Sequence, residues 1–381
     1  MAISGLRPGK VFLFLAVLLV TGLTLSGCTG VGRAGGGSGA AWGEVGEQGM
    51  LVVGSRAEHE VVALSPDGGR LIWSFPRDFE GLEDLDDPVG IIYGTPVIEG
   101  DAVYFGSYIG KVYARNLADG KARWHYPEGK RKYIDYIIGG PAIAGGTLFI
   151  GSTDGKLYAL DAATGAAKWP APFEMGGKIW ATPTVVDGVV YVGSSNGKLY
   201  ALDAATGAEK WPAPFKADGA IATRVVVSGD TVYVGSLDRH LYAVDIRDGR
   251  QRWKFAGGAW FWVPPVVHHD KVYAACIDHK IYVVDAETGL KTGEFDAGGP
   301  VRSDPVLVDD AIFFASEDGW VYALDTSSQE FRQFFYVGAK VRTPLDYEDE
   351  TGILYVHAGD RSLRAVDLES AAQLWGVMPG K

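Results

Sequence analysis

The sequence predicts an all-β protein, an eight-bladed β-propeller built from four-stranded antiparallel blades. The first observation is internal repetition. Residues 155–173 recur 42 positions later as residues 197–215, and the only difference is Ala167 against Glu209. The second observation is that Gly-Ser, or a degenerate form of it, closes a short apolar run eight times, at intervals of 40 to 52 residues. A period of this size is typical of solenoids, propellers and arrays.

Each repeat contains the signals of a β-hairpin. In the fourth repeat, residues 189–194 and 198–203 are apolar runs of strand length, rich in β-branched and aromatic side chains. A Ser-Asn-Gly turn joins them, and Asn-Gly favours tight hairpin connections. The central pair of strands in each blade is therefore predicted directly.

Two further strands complete the repeat. Residues 204–207 form a second turn, which the Asp203 carboxylate can cap, and a short strand ending at Trp211 is predicted after it. The Ile/Val-rich stretch 221–227 is predicted to be the first strand of the next repeat. Four short strands in about 42 residues, repeated eight times, predict twisted sheets arranged radially around a channel.

The first 27 residues are predicted to be a lipoprotein signal peptide. Arg7 and Lys10 form a positive region, residues 11–20 are wholly apolar, and residues 25–28 (Leu-Ser-Gly-Cys) resemble a bacterial lipobox. The apolar run is shorter than the roughly 20 residues that span a bilayer, which favours a cleaved signal. In lipoproteins the cut precedes the cysteine, so Cys28 is the predicted lipidation site. An uncleaved anchor and a plain secretory signal are the alternatives.

The rest of the chain is predicted to form one domain on a tether. Residues 28–41 comprise the lipidated cysteine and a Gly-rich flexible tether, and residues 42–381 form the propeller. Eight repeats leave no room for a second domain. Only Cys276 remains once Cys28 carries lipid, so no internal disulfide is expected. Because Cys276 ends an apolar run, it is predicted to be buried and not reactive.

Net charge excludes two classes of function. The chain has 35 basic and 47 acidic residues, and loss of Arg7 and Lys10 with the leader leaves 33 basic residues and a net charge of −14. Binding to nucleic acid and docking on an anionic bilayer surface both depend on basic residues, so neither is expected. The propeller is predicted to be monomeric and to reach a membrane only through its lipid.

Three local clusters are predicted to be turns or loops. The insertion between the first two repeats is acidic, with Glu80, Glu83, Asp84, Asp86 and Asp87, but it lacks the EF-hand spacing for calcium. The next connection is basic, with Lys130, Arg131 and Lys132 before Tyr133 and Tyr136. Both loops are second candidates for a partner-binding surface. His268-His269-Asp270 aligns with a turn of the other repeats, so no metal site is predicted.

The eleven-residue pattern Ala-x-Asp-x-x-x-Gly-x-x-x-Trp resembles the tryptophan-docking motif of the pyrroloquinoline-quinone (PQQ) repeat family. The pattern is intact in three repeats and nearly so in two more. Its tryptophan is present in six repeats, as Trp73, Trp124, Trp169, Trp211, Trp253 and Trp375; Gly293 and Gln333 replace it in the sixth and seventh. The resemblance implies structural tryptophans that hold each blade to its neighbour, with looser interfaces where they are missing.

Residues that vary between repeats are predicted to form the binding site. Most repeats have a proline ten positions before the Gly-Ser point, and the side chain three positions before that proline varies between repeats: Tyr93, Ile138, Trp180, Ala222, Trp262 and Arg302. In the last repeat three extra residues break the spacing, and Arg342 stands just before Pro344. These segments enter the innermost strands, and function commonly lies on variable rims. Tyr93, Trp180, Trp262, Arg302 and Arg342 are therefore predicted to line a binding mouth of the channel. A plug of side chains without a binding role is the alternative.

Two kinds of family member define the functional alternatives. PQQ-dependent dehydrogenases share the blade motif, but they are much longer and carry an adjacent cysteine pair and a calcium site. This sequence has no Cys-Cys pair, so no enzyme activity, catalytic residue or PQQ cofactor is expected. The leader, size, repeat number and motif instead resemble the lipoprotein of the outer-membrane β-barrel assembly machinery, a non-catalytic scaffold. This resemblance implies a protein partner, either that machinery or unfolded polypeptide.

The same resemblance implies an extracytoplasmic, lipid-anchored location. In a source with two membranes the protein would lie on the periplasmic face of the outer membrane. In a source with one membrane it would lie on the outer face of the cytoplasmic membrane, and barrel assembly would be excluded. The leading function would then be a propeller that binds a solute, sugar or peptide in its mouth.

Overall fold

A computed structural model describes residues 40–45, 48–54, 59–76, 89–129 and 131–379. The predicted signal peptide, Cys28, the tether up to residue 39, the acidic insertion and Lys130 lie outside the described residues. Ala40 and Ala41, at the end of the predicted tether, are the first residues of strand β1. None of the described segments contains a helix long and apolar enough to cross a membrane.

The described residues form eight separate four-stranded antiparallel sheets arranged in a ring, which confirms the predicted eight-bladed propeller. Blades 1 to 4 comprise β1 (Ala40–Val45), β2 (Gln48–Gly54), β3 (Val61–Leu64), β4 (Leu71–Phe75); β5 (Val97–Glu99), β6 (Ala102–Gly106), β7 (Val112–Asn116), β8 (Ala122–Tyr126); β9 (Ala142–Ala144), β10 (Thr147–Gly151), β11 (Lys156–Asp161), β12 (Phe173–Glu174); and β13 (Thr184–Val186), β14 (Val189–Gly193), β15 (Lys198–Asp203), β16 (Phe215–Lys216).

Blades 5 to 8 follow in the same way. They comprise β17 (Val226–Ser228), β18 (Thr231–Gly235), β19 (His240–Asp245), β20 (Gln251–Ala256); β21 (Val266–His268), β22 (Lys271–Ala275), β23 (Lys280–Asp285), β24 (Lys291–Asp296); β25 (Val306–Val308), β26 (Ala311–Ala315), β27 (Trp320–Asp325), β28 (Phe331–Tyr336); and β29 (Val341–Glu348), β30 (Ile353–Ala358), β31 (Leu363–Asp367), β32 (Gln373–Val377).

Within every blade the strands lie in sequence order, so the first and fourth strands are its two edges. First strands contact first strands of neighbouring blades; β1, for example, contacts both β5 and β29. The first strands therefore surround the channel and the fourth strands face outward. Since β1 and β29 belong to the first and last blades, their contact closes the ring.

The hydrophobic core lies between the blades. Each of the eight core clusters in the described chain combines residues of two neighbouring blades. The cluster between blades 5 and 6 contains Cys276, which is fully buried as predicted. Burial raises the pKa of its thiol to about 12, so the thiol stays protonated. Because each cluster needs two blades, a single blade cannot bury its own apolar faces.

The motif tryptophans lie at the blade interfaces, and each contacts the following blade. The indole Nε1 donates to a backbone carbonyl there over 2.7 to 3.0 Å: Trp73 to Leu117, Trp124 to Ala162, Trp169 to Ala204, Trp211 to Ile246, Trp253 to Ala286, and Trp375 to Pro66 of blade 1. The ring also covers the turn glycine of that blade. A Cβ atom on Gly207, where φ is +76°, would lie 2.8 Å from the ring of Trp169.

Two interfaces have lost both halves of this contact. Gly293 stands at the tryptophan position of blade 6, and Gln329 stands at the turn-glycine position of blade 7. Gln333 of blade 7 and Ala371 of blade 8 form the second such pair. Both non-glycine turn residues keep a left-handed backbone, with φ of +60° at Gln329 and +57° at Ala371. Without an indole ring above the turn, a side chain fits at the glycine position.

The strand predicted to end at Trp211 is wrong in its position. Only an isolated bridge joins Leu202 to Glu209, and the fourth strand of the blade is β16, beyond the tryptophan. Pro212 and Pro214 lie between them and have no N–H to donate to the sheet. Blade 3 has the same Trp-Pro-Ala-Pro-Phe segment and the same displaced strand, β12.

The predicted first strand, residues 221–227, is also shorter than expected. Strand β17 begins only at Val226. Residues 222–224 instead precede the sheet and line a cavity at one end of the propeller. This end of the propeller is called the cavity face below.

Candidate binding cavity

A cavity of about 590 Å³ opens on the cavity face. Its lining includes all five residues predicted for the mouth, Tyr93, Trp180, Trp262, Arg302 and Arg342, together with Ile138 and Ala222 from the same set of positions. The other lining residues are Tyr108, Thr182, Thr223, Arg224, Asp304 and Glu317. Cavities of roughly 300–1,000 Å³ are the usual size of small-ligand sites.

In blades 2 to 8, where the structure describes the hairpin, one backbone hydrogen bond positions the segment before the first strand against the hairpin of the same blade. In blade 7 the amide of Glu317 donates to Pro300 O over 3.0 Å, and in blade 6 the amide of Ile277 donates to Trp260 O over 3.2 Å. Two residues after each acceptor stand Arg302 and Trp262. Because side chains alternate in extended chain, these residues and those two positions later turn to the same side.

This alternation explains which lining residues the sequence prediction missed. Thr182, Arg224 and Asp304 lie two positions after Trp180, Ala222 and Arg302, immediately before the proline position. Tyr108 and Glu317 each directly follow the Gly-Ser point or its equivalent. Both positions vary between repeats, so the same search for non-repeating residues could have found them.

Glu317 organises the charged side of the cavity. Only 11% of its side chain is exposed, and Arg342 donates to both of its carboxylate oxygens, from Nε and Nη2, over 3.0 Å each. Arg302 Nε lies 3.0 Å from Oε1, and Lys340 Nζ lies 3.6 Å from Oε2. Burial opposes ionisation, but the three cations outweigh it and hold the pKa of Glu317 below its usual range. The two arginines of the predicted mouth are thus paired with an internal carboxylate.

Aromatic rings lie beside the cations in the cavity lining. The Arg302 guanidinium carbon lies 6.0 Å from the centre of the Trp262 ring. Tyr93 meets Tyr108 edge to face at 5.2 Å, and Tyr108 stacks on Tyr136 at 4.4 Å. Tyr136 is 48% exposed. The aromatic lining therefore continues from the cavity to the basic connection on the outer surface.

The cavity tryptophans differ from the docking tryptophans in their hydrogen bonding. All six docking indoles donate to a carbonyl of the next blade. The half-buried Trp180 and Trp262 donate to no residue in the part of the chain that the structure describes. Their N–H groups therefore have no acceptor among the described residues.

A separate cluster of His268, His269 and Asp310 lies at the opposite end of the blades. Its ligand atoms lie within 4.8 Å of one another, and His268 Nε2 is 2.8 Å from Asp310 Oδ1. Asp310 belongs to blade 7, so the cluster differs from the sequence triplet ending at Asp270. Imidazole and carboxylate groups are suitable zinc ligands. The expectation that the protein needs no metal stays a prediction.

The fold and the docking motif define a class, the PQQ-repeat propellers with a variable cavity face. The family model described as outer membrane protein assembly factor BamB matches residues 44–136, 131–254, 215–300 and 278–379. Since these matches span nearly the whole described chain, the protein belongs to the BamB family of PQQ-repeat propellers.

Two solved structures share the fold. BamB from Moraxella catarrhalis has a TM-score of 0.65 and 20% sequence identity, and the match covers 84% of this chain and 91% of that one. The computationally designed Ika8 protein has a TM-score of 0.68 and 15% identity, with 91% and 98% covered. A search of curated proteins finds no match. At these identities the two structures are evidence for the fold alone.

Proposed function

We propose that this protein is a non-catalytic, lipid-anchored scaffold that binds a protein partner on its cavity face and serves in outer-membrane protein assembly. Membership of the BamB family, over four stretches of the chain, supports an assembly role. The single observation that carries the choice of face is that the non-repeating aromatic and cationic side chains gather around one cavity.

The composition of this face suits a protein interface. Trp, Tyr and Arg are enriched where proteins bind each other and supply most of the binding energy. Beyond the cavity lining, Trp260 is 44% exposed and Tyr136 is 48% exposed, at equivalent positions of blades 6 and 3. A partner that covers the cavity would bury these rings as well.

The cavity chemistry supports a scaffold more than an enzyme. Its described lining contains no histidine, cysteine or lysine, and Glu317 is held ionised by three cations, which makes it a poor proton donor or acceptor near neutral pH. Titration of the purified protein with PQQ and calcium should give no dye-linked oxidation of alcohols or sugars. Turnover under these conditions would contradict the non-catalytic proposal.

The lipobox at residues 25–28 supports a lipid anchor, and the Gly-rich stretch that follows would act as a flexible tether between the membrane and the propeller. In a source with two membranes the scaffold would lie on the periplasmic face of the outer membrane. The partner would then be the barrel-assembly machinery or an unfolded polypeptide.

A pull-down from detergent-solubilised envelope tests the binding face. The variant with Trp180, Trp262, Arg302 and Arg342 all changed to Ala should fold but lose most of the partner that the wild type recovers. A control with Leu290→Ala and Leu374→Ala removes exposed side chains, 68% and 51% accessible, outside the cavity lining. This control should recover the partner fully. Equal recovery by the quadruple variant would refute the proposed face.

The size of the cavity favours one alternative, a propeller that binds a solute or peptide and needs no stable protein partner. A ligand bound only by the folded state stabilises that state by RT ln(1 + L/Kd), where L is the free ligand concentration, so the unfolding temperature rises with ligand concentration. The alternative is supported if small solutes stabilise the wild type but not the quadruple variant, and if the pull-down recovers nothing.

A further inference from the structure

We propose that the cavity is a binding site for a ligand carboxylate, and that Glu317 occupies it as an internal competitor. The ligand carboxylate would displace Glu317 from Arg302 and Arg342. This inference rests on the proposed function, because it takes the cavity face to be the binding face.

The charges around the cavity are the first argument. Arg302, Lys340 and Arg342 surround the single carboxylate of Glu317. The two other charged lining residues, Arg224 and Asp304, carry one charge of each sign. The cavity rim therefore has a surplus of about two positive charges, in a chain whose net charge is −12. A local excess of this sign attracts an anionic ligand.

The hydrogen-bond donors are the second argument. Arg302 Nε lies 3.0 Å from Glu317 Oε1 but is not in hydrogen-bonding geometry with it, and the two terminal nitrogens of Arg302 make no hydrogen bond to any residue that the structure describes. The indole N–H groups of Trp180 and Trp262 likewise have no acceptor among the described residues. A wall with more donors than acceptors fits a ligand that supplies acceptors, and guanidinium forms charge-assisted, often bidentate hydrogen bonds with carboxylates.

The geometry of Glu317 is the third argument. Its two oxygens receive the Nε and Nη2 donors of Arg342, each over 3.0 Å, which is the bidentate arrangement that guanidinium forms with a carboxylate. An internal carboxylate in this position holds the arginine ready for a ligand of the same chemistry. It also lowers the affinity, because the ligand must displace it.

The ligand is an acidic segment or terminal carboxylate of an extended polypeptide. The cavity of about 590 Å³ is too small for a folded domain but accommodates a short segment of chain. Trp180, Trp262 and Tyr93 provide apolar walls beside the cations. A small organic acid shares the carboxylate chemistry, so the experiment includes one.

The test measures binding of a fluorescent hexapeptide with two acidic side chains and a free carboxyl terminus. Its neutral counterpart has amide side chains and an amidated terminus. Glu317→Gln should bind the acidic peptide about tenfold more tightly than the wild type, because the competitor is neutral. Arg302→Gln with Arg342→Gln should weaken binding at least tenfold. The neutral peptide should bind all variants equally weakly.

Glu294→Gln is the matched control. Glu294 also lies between two cations, 2.6 Å from Lys280 Nζ and 2.9 Å from Lys291 Nζ, but it does not line the cavity. This variant should bind as the wild type does. If Glu294→Gln tightens peptide binding as much as Glu317→Gln does, the loss of one negative charge anywhere on the protein explains the effect. That result would overturn the inference.

A second variant covers the case in which Glu317→Gln fails to fold. Lys340 is 62% exposed on the rim, so Lys340→Gln leaves the core intact and should weaken acidic-peptide binding about threefold. Unchanged affinity in Lys340→Gln and in the double arginine variant would overturn the proposed site.

Two further comparisons distinguish a small organic acid from a polypeptide as the ligand, and the carboxylate site from the proposed scaffold function. If succinate displaces the fluorescent peptide at concentrations similar to those of unlabelled peptide, the site binds small acids. If only unlabelled peptide displaces it, the ligand is a polypeptide. If no variant binds acidic peptide while the quadruple variant still loses its partner, the carboxylate site is wrong and the scaffold stands. If the acidic peptide binds as predicted but the wild type recovers no partner, the carboxylate site stands and the scaffold proposal is wrong.

Discussion

The indole Nε1 of Trp375 donates a hydrogen bond to the carbonyl oxygen of Pro66 over 2.7 Å, although the two residues are 309 positions apart. The same ring covers Gly69, where an added Cβ would lie 2.9 Å from it. This contact repeats the one between Trp211 and Ile246. The last blade therefore joins the first through the same contact that joins consecutive blades.

Replacing Trp375 should open the ring at that point. The other seven interfaces are also held by the chain that connects their blades, whereas the described parts of blades 8 and 1 meet through side chains and strand edges. Trp375→Ala should speed amide exchange in β1 and β29 while leaving β13 to β20 protected. Trp211→Ala, which removes a ring only 4% exposed, should instead lower overall stability by about 3–5 kcal/mol. Equal exchange in wild type and Trp375→Ala would show that the contact does not close the ring.

The turn glycine under a docking tryptophan should be intolerant of a side chain. Gly207→Ala adds a Cβ 2.8 Å from the Trp169 ring at a φ of +76°, so it should destabilise by about 1–3 kcal/mol in urea unfolding. Ala371→Gly is the control, because this turn has the same backbone and no tryptophan above it. It should be neutral or stabilise by up to about 1 kcal/mol. If Gly207→Ala and Ala371→Gly lose similar amounts of stability, the turn glycine is not required because of the tryptophan above it.

Glu317 should make the cavity face sensitive to strong acid. Its pKa is lowered in the folded protein, because the three cations outweigh the effect of burial. The stability that it contributes is thus fully present above the pKa of an unfolded glutamate, about 4.3, and is lost as the pH falls through the lower folded value. Denaturant unfolding should show a steeper loss for wild type than for Glu317→Gln below about pH 4.5. If the free energy of unfolding depends on pH in the same way in both proteins, the ion pairs of Glu317 do not contribute to stability.

The predicted lipid anchor can be tested without reference to the propeller. Cys28 lies outside the described residues, and its role follows from the lipobox alone. Cys28→Ser should abolish labelling by a fatty-acid probe and move the protein from the membrane fraction to the soluble fraction. Membrane association of an unlabelled Cys28→Ser protein with its leader intact would contradict the lipoprotein prediction.

The repeat period determined the propeller because four strand signals recur with nearly constant spacing. Hairpin turns such as that at Asn196-Gly197 were predicted from two residues, and β14 pairs with β15 around it. Asp203 accepts hydrogen bonds from the amide and hydroxyl of Thr206, so the predicted cap of the second turn is confirmed. These are local features, and local sequence specifies them.

Tertiary structure decided which repeats share each contact. The motif places Gly207 and Trp211 four positions apart in one repeat, yet Gly207 lies under Trp169 of the preceding blade. Only the ring arrangement shows why the sixth and seventh repeats lose their tryptophans while the seventh and eighth lose their glycines. Where one blade lacks the tryptophan, the turn of the next blade no longer needs a glycine. Where a side chain replaces that glycine, an indole ring no longer fits above the turn.

The sequence alone determined the eight-bladed fold and the five variable positions that line the cavity, because spacing and composition carry that information. The pairing of Arg302 and Arg342 with Glu317 depended on the tertiary structure. Glu317 follows Arg302 on a different segment of blade 7, and Arg342 belongs to blade 8. Distances between side chains on separate blades depend on how the ring packs, and no spacing within a repeat encodes them.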